Sequence, residues 1–125
     1  MIKFNTAVIG ATPNTNRYSF KALTMLTQHG FNAIPLGFRK GNITGLSIIT
    51  DWPKEIENLK VVTMYIGPDR QAAFYDYIID LKPKTIIFNP GTENPEFYAK
   101  LDQSNIQYEE ACTLVLLSTG AFENL

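Results

Sequence analysis

The chain has 125 residues, 45% of them hydrophobic, with a formal net charge of −1 and acids and bases interspersed. That length and apolar content fit one domain, residues 1–125, able to bury a core. Without a basic block there is no basis for non-specific attraction to nucleic acid, which rests on Lys and Arg neutralising phosphates. No apolar run approaches the roughly 20 residues of a membrane span and no secretory leader opens the chain. The single cysteine, Cys112, leaves no internal disulfide and no multi-cysteine metal site. The expectation is a cytoplasmic protein with neither membrane nor nucleic acid as partner.

Taken in chain order, Thr6–Ile9 is a short apolar run that predicts a strand. Gly10-Ala11-Thr12-Pro13-Asn14-Thr15-Asn16-Arg17-Tyr18-Ser19 follows and leads into a helical pattern from Ser19 to His29, with Ala22, Leu23 and Leu26 on one stripe and Gly30 as its stop. Ala33–Leu36 predicts a second strand. Gly37 to Leu59 breaks the rhythm: it contains Gly41, Gly45 and Pro53, a Leu46–Thr50 run that reads as strand or loop, and a weak helix near Lys54–Asn58. Val61–Ile66 predicts the third strand, and Pro68-Asp69 opens a helix that Lys82-Pro83 ends after Leu81. Thr85–Phe88 predicts the fourth strand. Asn94 as cap, Pro95 at the first helical position and Glu96 in the first turn start a third helix that ends near Ser104-Asn105. Ile106–Tyr108 is the fifth strand, and a short helix over Thr113–Leu117 stops at Gly120.

Alternating β and α patterns with short connections predict an α/β fold, a doubly wound Rossmann-like parallel sheet of about five strands in order 3-2-1-4-5. Ligands of such sheets bind at the carboxyl ends of the strands, where the strand order reverses. The Gly10 loop then sits at the centre of a site. Glycine permits close backbone approach, a helix N-terminus presents unpaired N–H groups to an anion, and Thr12, Thr15, Arg17 and Ser19 carry groups that bind phosphate oxygens. An ordinary βα turn would use the same Gly and Asn for their tolerance of left-handed backbone.

The loop does not read G-x-G-x-x-G, since Gly30 is the next glycine after Gly10, and the second strand ends in Pro35-Leu36-Gly37-Phe38-Arg39-Lys40 without a carboxylate. A basic pair there suits a phosphorylated ribose, as in NADP or coenzyme A; a solvated loop pair looks the same in sequence. Two more strand ends are polar and glycine-bearing, Tyr65-Ile66-Gly67-Pro68-Asp69-Arg70-Gln71 and Phe88-Asn89-Pro90-Gly91-Thr92-Glu93-Asn94-Pro95. In a parallel sheet all of these loops share one edge.

Gly10-Ala11-Thr12-Pro13-Asn14 with Arg17 and Ser19, the run Phe88 to Asn94, and Glu110-Ala111-Cys112-Thr113 together resemble the small stand-alone CoA-binding proteins. These are related to the N-terminal domain of the succinyl-CoA synthetase alpha subunit and of ADP-forming acyl-CoA synthetases. The resemblance covers nearly the whole chain, and Asn89-Pro90-Gly91-Thr92-Glu93 is its most specific part. It implies coenzyme A bound along the carboxyl edge. Gly10, Ala11, Thr12, Arg17 and Ser19 would hold the pyrophosphate region, Lys40 with Arg39 would lie near the ribose phosphate, and Tyr65, Ile66 and Gly67 would run along the cofactor. Asn89, Gly91 and Thr92 complete the implied site. The Gly37–Gly45 loop departs from the synthetase's short glycine-lysine-glycine turn.

Nothing in the chain calls for independent catalysis, and no catalytic or metal-binding residue is assigned. The synthetases also use a separate domain bearing a phosphorylated histidine and a nucleotide-grasping subunit; the one histidine here, His29, falls in the last turn of a helix, where a cation complements the dipole. Cys112, flanked by Ala111 and near Leu114, reads as a small buried hydrophobe, with a reactive thiol at a helix start as the alternative. Glu93, Glu109 and Glu110 have no paired partner at a fixed spacing. The expected function is non-catalytic binding of coenzyme A or an acyl-CoA, with an acyl-CoA-using enzyme as possible partner. The alternative is a small NADP-binding oxidoreductase-like domain.

Overall fold

A computed structural model describes residues 4–125. Its main sheet contains β1 (Asn5–Ala11), β2 (Asn32–Gly37), β5 (Leu59–Met64), β6 (Thr85–Phe88) and β7 (Gln107–Glu110), while β3 (Asn42–Ile43) and β4 (Leu46–Ser47) form a separate two-stranded ribbon. The helices are α1 (Tyr18–Gln28), α2 (Tyr75–Leu81), α3 (Pro95–Gln103) and α4 (Thr113–Thr119), with 3-10 turns at Pro68–Arg70, Ala72–Phe74 and Ala121–Asn124.

Side-chain alternation along the strands divides the core. Ala7 and Ile9 of β1, Val62 and Met64 of β5, and Ile86 and Phe88 of β6 pack with Tyr75 and Ile78 of α2 and Phe97 and Leu101 of α3. Val8, Val61 and Ile87 face the other way, onto Leu23 and Leu26 of α1 and Leu117 of α4. Every strand pairing in the main sheet is parallel. The central strands are covered on both faces, which is why their sequences are nearly continuous apolar runs.

The fold class matches the sequence expectation; the strand order does not. Counted along the chain within the main sheet, the strands lie 2-1-3-4-5 rather than 3-2-1-4-5, because β5 pairs with β1 and β6. The connection from β2 explains the difference. Ile43 and Ile48 pack on the α1 face, Ile49 forms a parallel bridge to Leu36 at the outer edge of β2, and Trp52 and Ile56 pack on the opposite face. The connection thus changes faces around β2 and delivers β5 to the far side of β1. Val61, Val62, Thr63 and Met64 are all buried, as a central strand requires and an edge strand does not.

Two further expectations are corrected. Residues 54–58 form no helix; the carbonyls of Glu57 and Asn58 instead accept from the side chain and backbone N–H of Asn5. The segment from Pro68 begins as two 3-10 turns, and α2 proper starts only at Tyr75. Between those turns the wholly buried Gln71 side chain is committed to neighbouring carbonyls. The third helix follows expectation to its cap: Asn94 accepts from the Phe97 N–H at 3.2 Å.

The two sheet edges differ. Along β2, Gly37 N–H donates to the Ile49 carbonyl at 3.0 Å and Ile49 N–H to the Pro35 carbonyl at 2.9 Å. The β7 edge carries exposed Gln107, Glu109 and Glu110.

Candidate functional site

The order 2-1-3-4-5 puts the reversal between β1 and β5, and a cleft of about 650 Å³ opens there at the carboxyl edge. Gly10 and Ala11 line it beside Tyr65, Ile66 and Gly67. Gly10 interrupts the β1–β2 register between Ile9 and Ala11, at φ +100°. A Cβ there would stand 3.1 Å from the Tyr65 carbonyl carbon and 3.2 Å from Tyr65 Cβ, so only glycine lets the two segments close up. Gly37 is as constrained, since a Cβ would collide with the Ala11 carbonyl oxygen.

One wall is the loop from Thr12 to Ser19. Local bonds shape it: Asn14 N–H donates to Thr12 Oγ1 at 3.3 Å, Asn16 N–H to Asn14 Oδ1 at 3.0 Å and Arg17 N–H to the Asn14 carbonyl at 3.1 Å. Arg17 is the extended residue that precedes α1, and it makes no side-chain cap bond. No acidic residue occupies the first turn. The positive end of α1 is thus left without the protein's usual anionic or hydroxyl complement. Among the described residues the cleft lining includes Arg17, Arg39 and Arg70 and no Asp or Glu, although Glu93 stands next to it, its Oε1 accepting from the N–H of the lining residue Gly91 at 2.8 Å. The electrostatic character of the cleft is that of an anion site.

The opposite wall is held from beneath by buried amides. Gln71 Nε2 donates to the carbonyls of Ile66 and Thr92, each at 2.8 Å, and Asn94 Nδ2 donates to Gln71 Oε1 at 3.0 Å and to the Tyr75 hydroxyl at 2.8 Å. Asn89 Nδ2 donates to Thr63 Oγ1 at 2.7 Å and to the Met64 carbonyl at 2.9 Å, and its Oδ1 accepts from the Thr113 N–H at 2.9 Å. Burial pushes the Tyr65 phenol up to about 12, with the Thr113 and Thr63 side chains opposing the rise. The phenol is therefore a neutral hydrogen-bonding group at ordinary pH.

Gly10, Ala11, Thr12, Arg17, Ser19, Arg39, Tyr65, Ile66, Gly67, Gly91 and Thr92 are brought to this one cleft; Lys40 and Asn89 are not in its lining. Lys40 is exposed beyond Arg39, whereas Asn89 is buried under the floor. Thr92 lines the cleft but turns its hydroxyl inward, to the Asn89 carbonyl at 2.8 Å. Sequence reasoning missed Phe38 and Arg70 as lining residues, although both lie in quoted strand-end segments, and it missed Gln71, whose only sequence signal is an amide just before a helix. Cys112 is half-buried at the start of α4, not fully packed as a core residue would be. His29 is an exposed residue capping the end of α1. Among the described residues no helix is long and apolar enough to cross a membrane.

A doubly wound parallel sheet with an arginine-lined cleft at its switch point defines a Rossmann-like domain suited to a phosphorylated ligand. The chain belongs to the CoA binding domain family, whose model matches residues 5–118. A crystal structure of an uncharacterized protein is 47% identical, with TM-score 0.89 over 94% of this chain and 96% of that one. Two further structures share the fold at lower identity. A Thermus thermophilus protein is 18% identical, with TM-score 0.82 over 93% of this chain and 88% of that one. A hypothetical protein from Pyrococcus horikoshii OT3 is 22% identical, with TM-score 0.75 over 86% of this chain and 77% of that one. No curated protein matches the chain.

Proposed function

We propose that this cleft binds coenzyme A or an acyl-CoA, and that the chain acts as a binding module without chemistry of its own. The observation that carries the reading is the convergence of three guanidiniums and an uncomplemented helix N-terminus on one cleft whose lining, among the described residues, has no Asp or Glu. Coenzyme A has a pyrophosphate and a ribose 3′-phosphate on one nucleotide, which calls for more than one cationic contact. Gly10, Ala11, Thr12, Arg17 and Ser19 would hold the pyrophosphate, Arg39 the ribose phosphate, and Tyr65, Ile66 and Gly67 would flank the cofactor, with Gly91 and Thr92 at the far wall. Asn89 acts through the loop it braces. Family membership supports the same ligand. An enzyme that uses acyl-CoA is the partner this role implies.

Ligand-dependent thermal unfolding tests the reading. A ligand that binds only the folded state adds about 2.7 kcal/mol at a hundredfold excess over Kd. Coenzyme A is expected to raise the midpoint and NAD to leave it unchanged. A larger shift with NADP than with coenzyme A would overturn the assignment in favour of an oxidoreductase-like domain, because Arg39 suits a ribose 2′-phosphate as well.

A further inference from the structure

Phe38 follows β2 and Arg70 ends the 3-10 turn after β5, so the two come from strands on opposite sides of β1. They meet across it. The Arg70 guanidinium carbon lies 5.5 Å from the Phe38 ring centroid, within cation–π range, and both side chains line the cleft. Phe38 is 48% exposed, yet it is buttressed: its ring centroid is 5.4 Å from that of Trp52 and 5.7 Å from that of Phe74. The Trp52 indole N–H donates to the Gly37 carbonyl at 3.0 Å, fixing the backbone just before Phe38. The ring is thus held in place on one side by Trp52 and Phe74 and reachable from the cleft on the other, with a planar cation over it.

We propose that Phe38 and Arg70 form a clamp for the adenine base of the bound nucleotide, the base entering between ring and guanidinium. This rests on the coenzyme A reading and adds to it which residues take the base. Aromatic and guanidinium planes both stack on heteroaromatic rings. A sandwiched base needs roughly 7 Å between them, two contacts of about 3.5 Å. The present 5.5 Å separation is a closed clamp. Arg70 is the side that yields, because Pro68, Asp69 and Arg70 are exposed while Phe38 is braced by Trp52 and Phe74. Arg39, next in the chain to Phe38, sets a phosphate-binding group beside the base platform, matching a nucleotide whose base and 3′-phosphate share one ribose. Stacking does not read the base edges, so the clamp tolerates modification there.

The test uses 1,N6-etheno-CoA, whose base fluorescence is quenched by stacking, together with calorimetry of coenzyme A and of 4′-phosphopantetheine, which lacks the base along with its ribose and 3′-phosphate. Wild type is expected to quench the etheno base. Phe38→Leu is expected to abolish the quench and weaken coenzyme A about fivefold to a hundredfold, the span of base–aromatic stacking, with Phe38→Tyr restoring both. Arg70→Lys keeps the charge and loses the plane; it is expected to weaken coenzyme A severalfold and leave 4′-phosphopantetheine unchanged. Bound etheno-CoA without quenching in wild type, or full affinity in Phe38→Leu, overturns the clamp while leaving coenzyme A as ligand. Failure of wild type to bind coenzyme A at all overturns the underlying reading as well.

Discussion

The two walls of the cleft are built on opposite principles. The Thr12–Ser19 wall is exposed from Asn14 to Tyr18, and the bonds that shape its loop link residues two or three apart. The wall after β5 and β6 rests on Gln71, Asn89, Thr92 and Asn94, all buried and each tied by at least one bond that spans 21 or more residues of chain. One wall offers the Arg17 guanidinium and the uncapped N-terminus of α1; the other offers a backbone braced from beneath, from which the exposed Arg70 side chain projects. A polyanion site needs both, because cations free to adjust gain little unless something opposite them holds still.

That contrast yields predictions in which stability and affinity separate. Gln71→Leu removes a buried donor pair and strands the carbonyls of Ile66 and Thr92, so it is expected to lower the unfolding free energy by about 2–4 kcal/mol in urea titration. A loss well under 1 kcal/mol would erase the distinction between the walls. Arg17→Ala is expected to do the reverse. Coenzyme A binding weakens by about 1–3 kcal/mol in calorimetry while unfolding without ligand is unchanged, since only a charge-assisted contact to ligand is lost. Unaltered affinity would move Arg17 out of the site. The smallest effect distinguishes two neighbours: wild type should favour coenzyme A over dephospho-CoA by about 1 kcal/mol, a preference that Arg39→Ala removes and Lys40→Ala keeps. The opposite outcome would restore Lys40 to the ribose phosphate.

Much of this molecule is legible in its sequence, for reasons that differ by element. The Asn94-Pro95-Glu96 start of α3 is a local event, since a side chain three residues from the N–H it accepts needs no tertiary partner. The strands are legible because burial on both faces leaves unbroken apolar runs such as Thr85–Phe88. Strand order is not local. It depends on a 21-residue connection, residues 38–58, whose path around β2 is decided by Ile43 and Ile48 packing on one face of the sheet and Ile49, Trp52 and Ile56 on the other, and no periodicity records that. The cleft shows the same limit. Gly10 and Arg17 stand out because they belong to one strand–glycine–helix junction, whereas Phe38 and Arg70 follow different strands and become a pair only because β1 lies between those strands.

The treatment of the sheet margins bears on how this domain behaves in a crowded solution. Open strand margins act as templates for a neighbouring chain, the usual start of fibrous association. Here one margin is capped by the chain's own Ile49 and interrupted by Pro35, which has no N–H to offer, and the other presents Glu109 and Glu110 to any strand that would dock. Both features disfavour backbone pairing between copies at the margins of the main sheet, which lowers the tendency of the domain to associate strand to strand at high concentration.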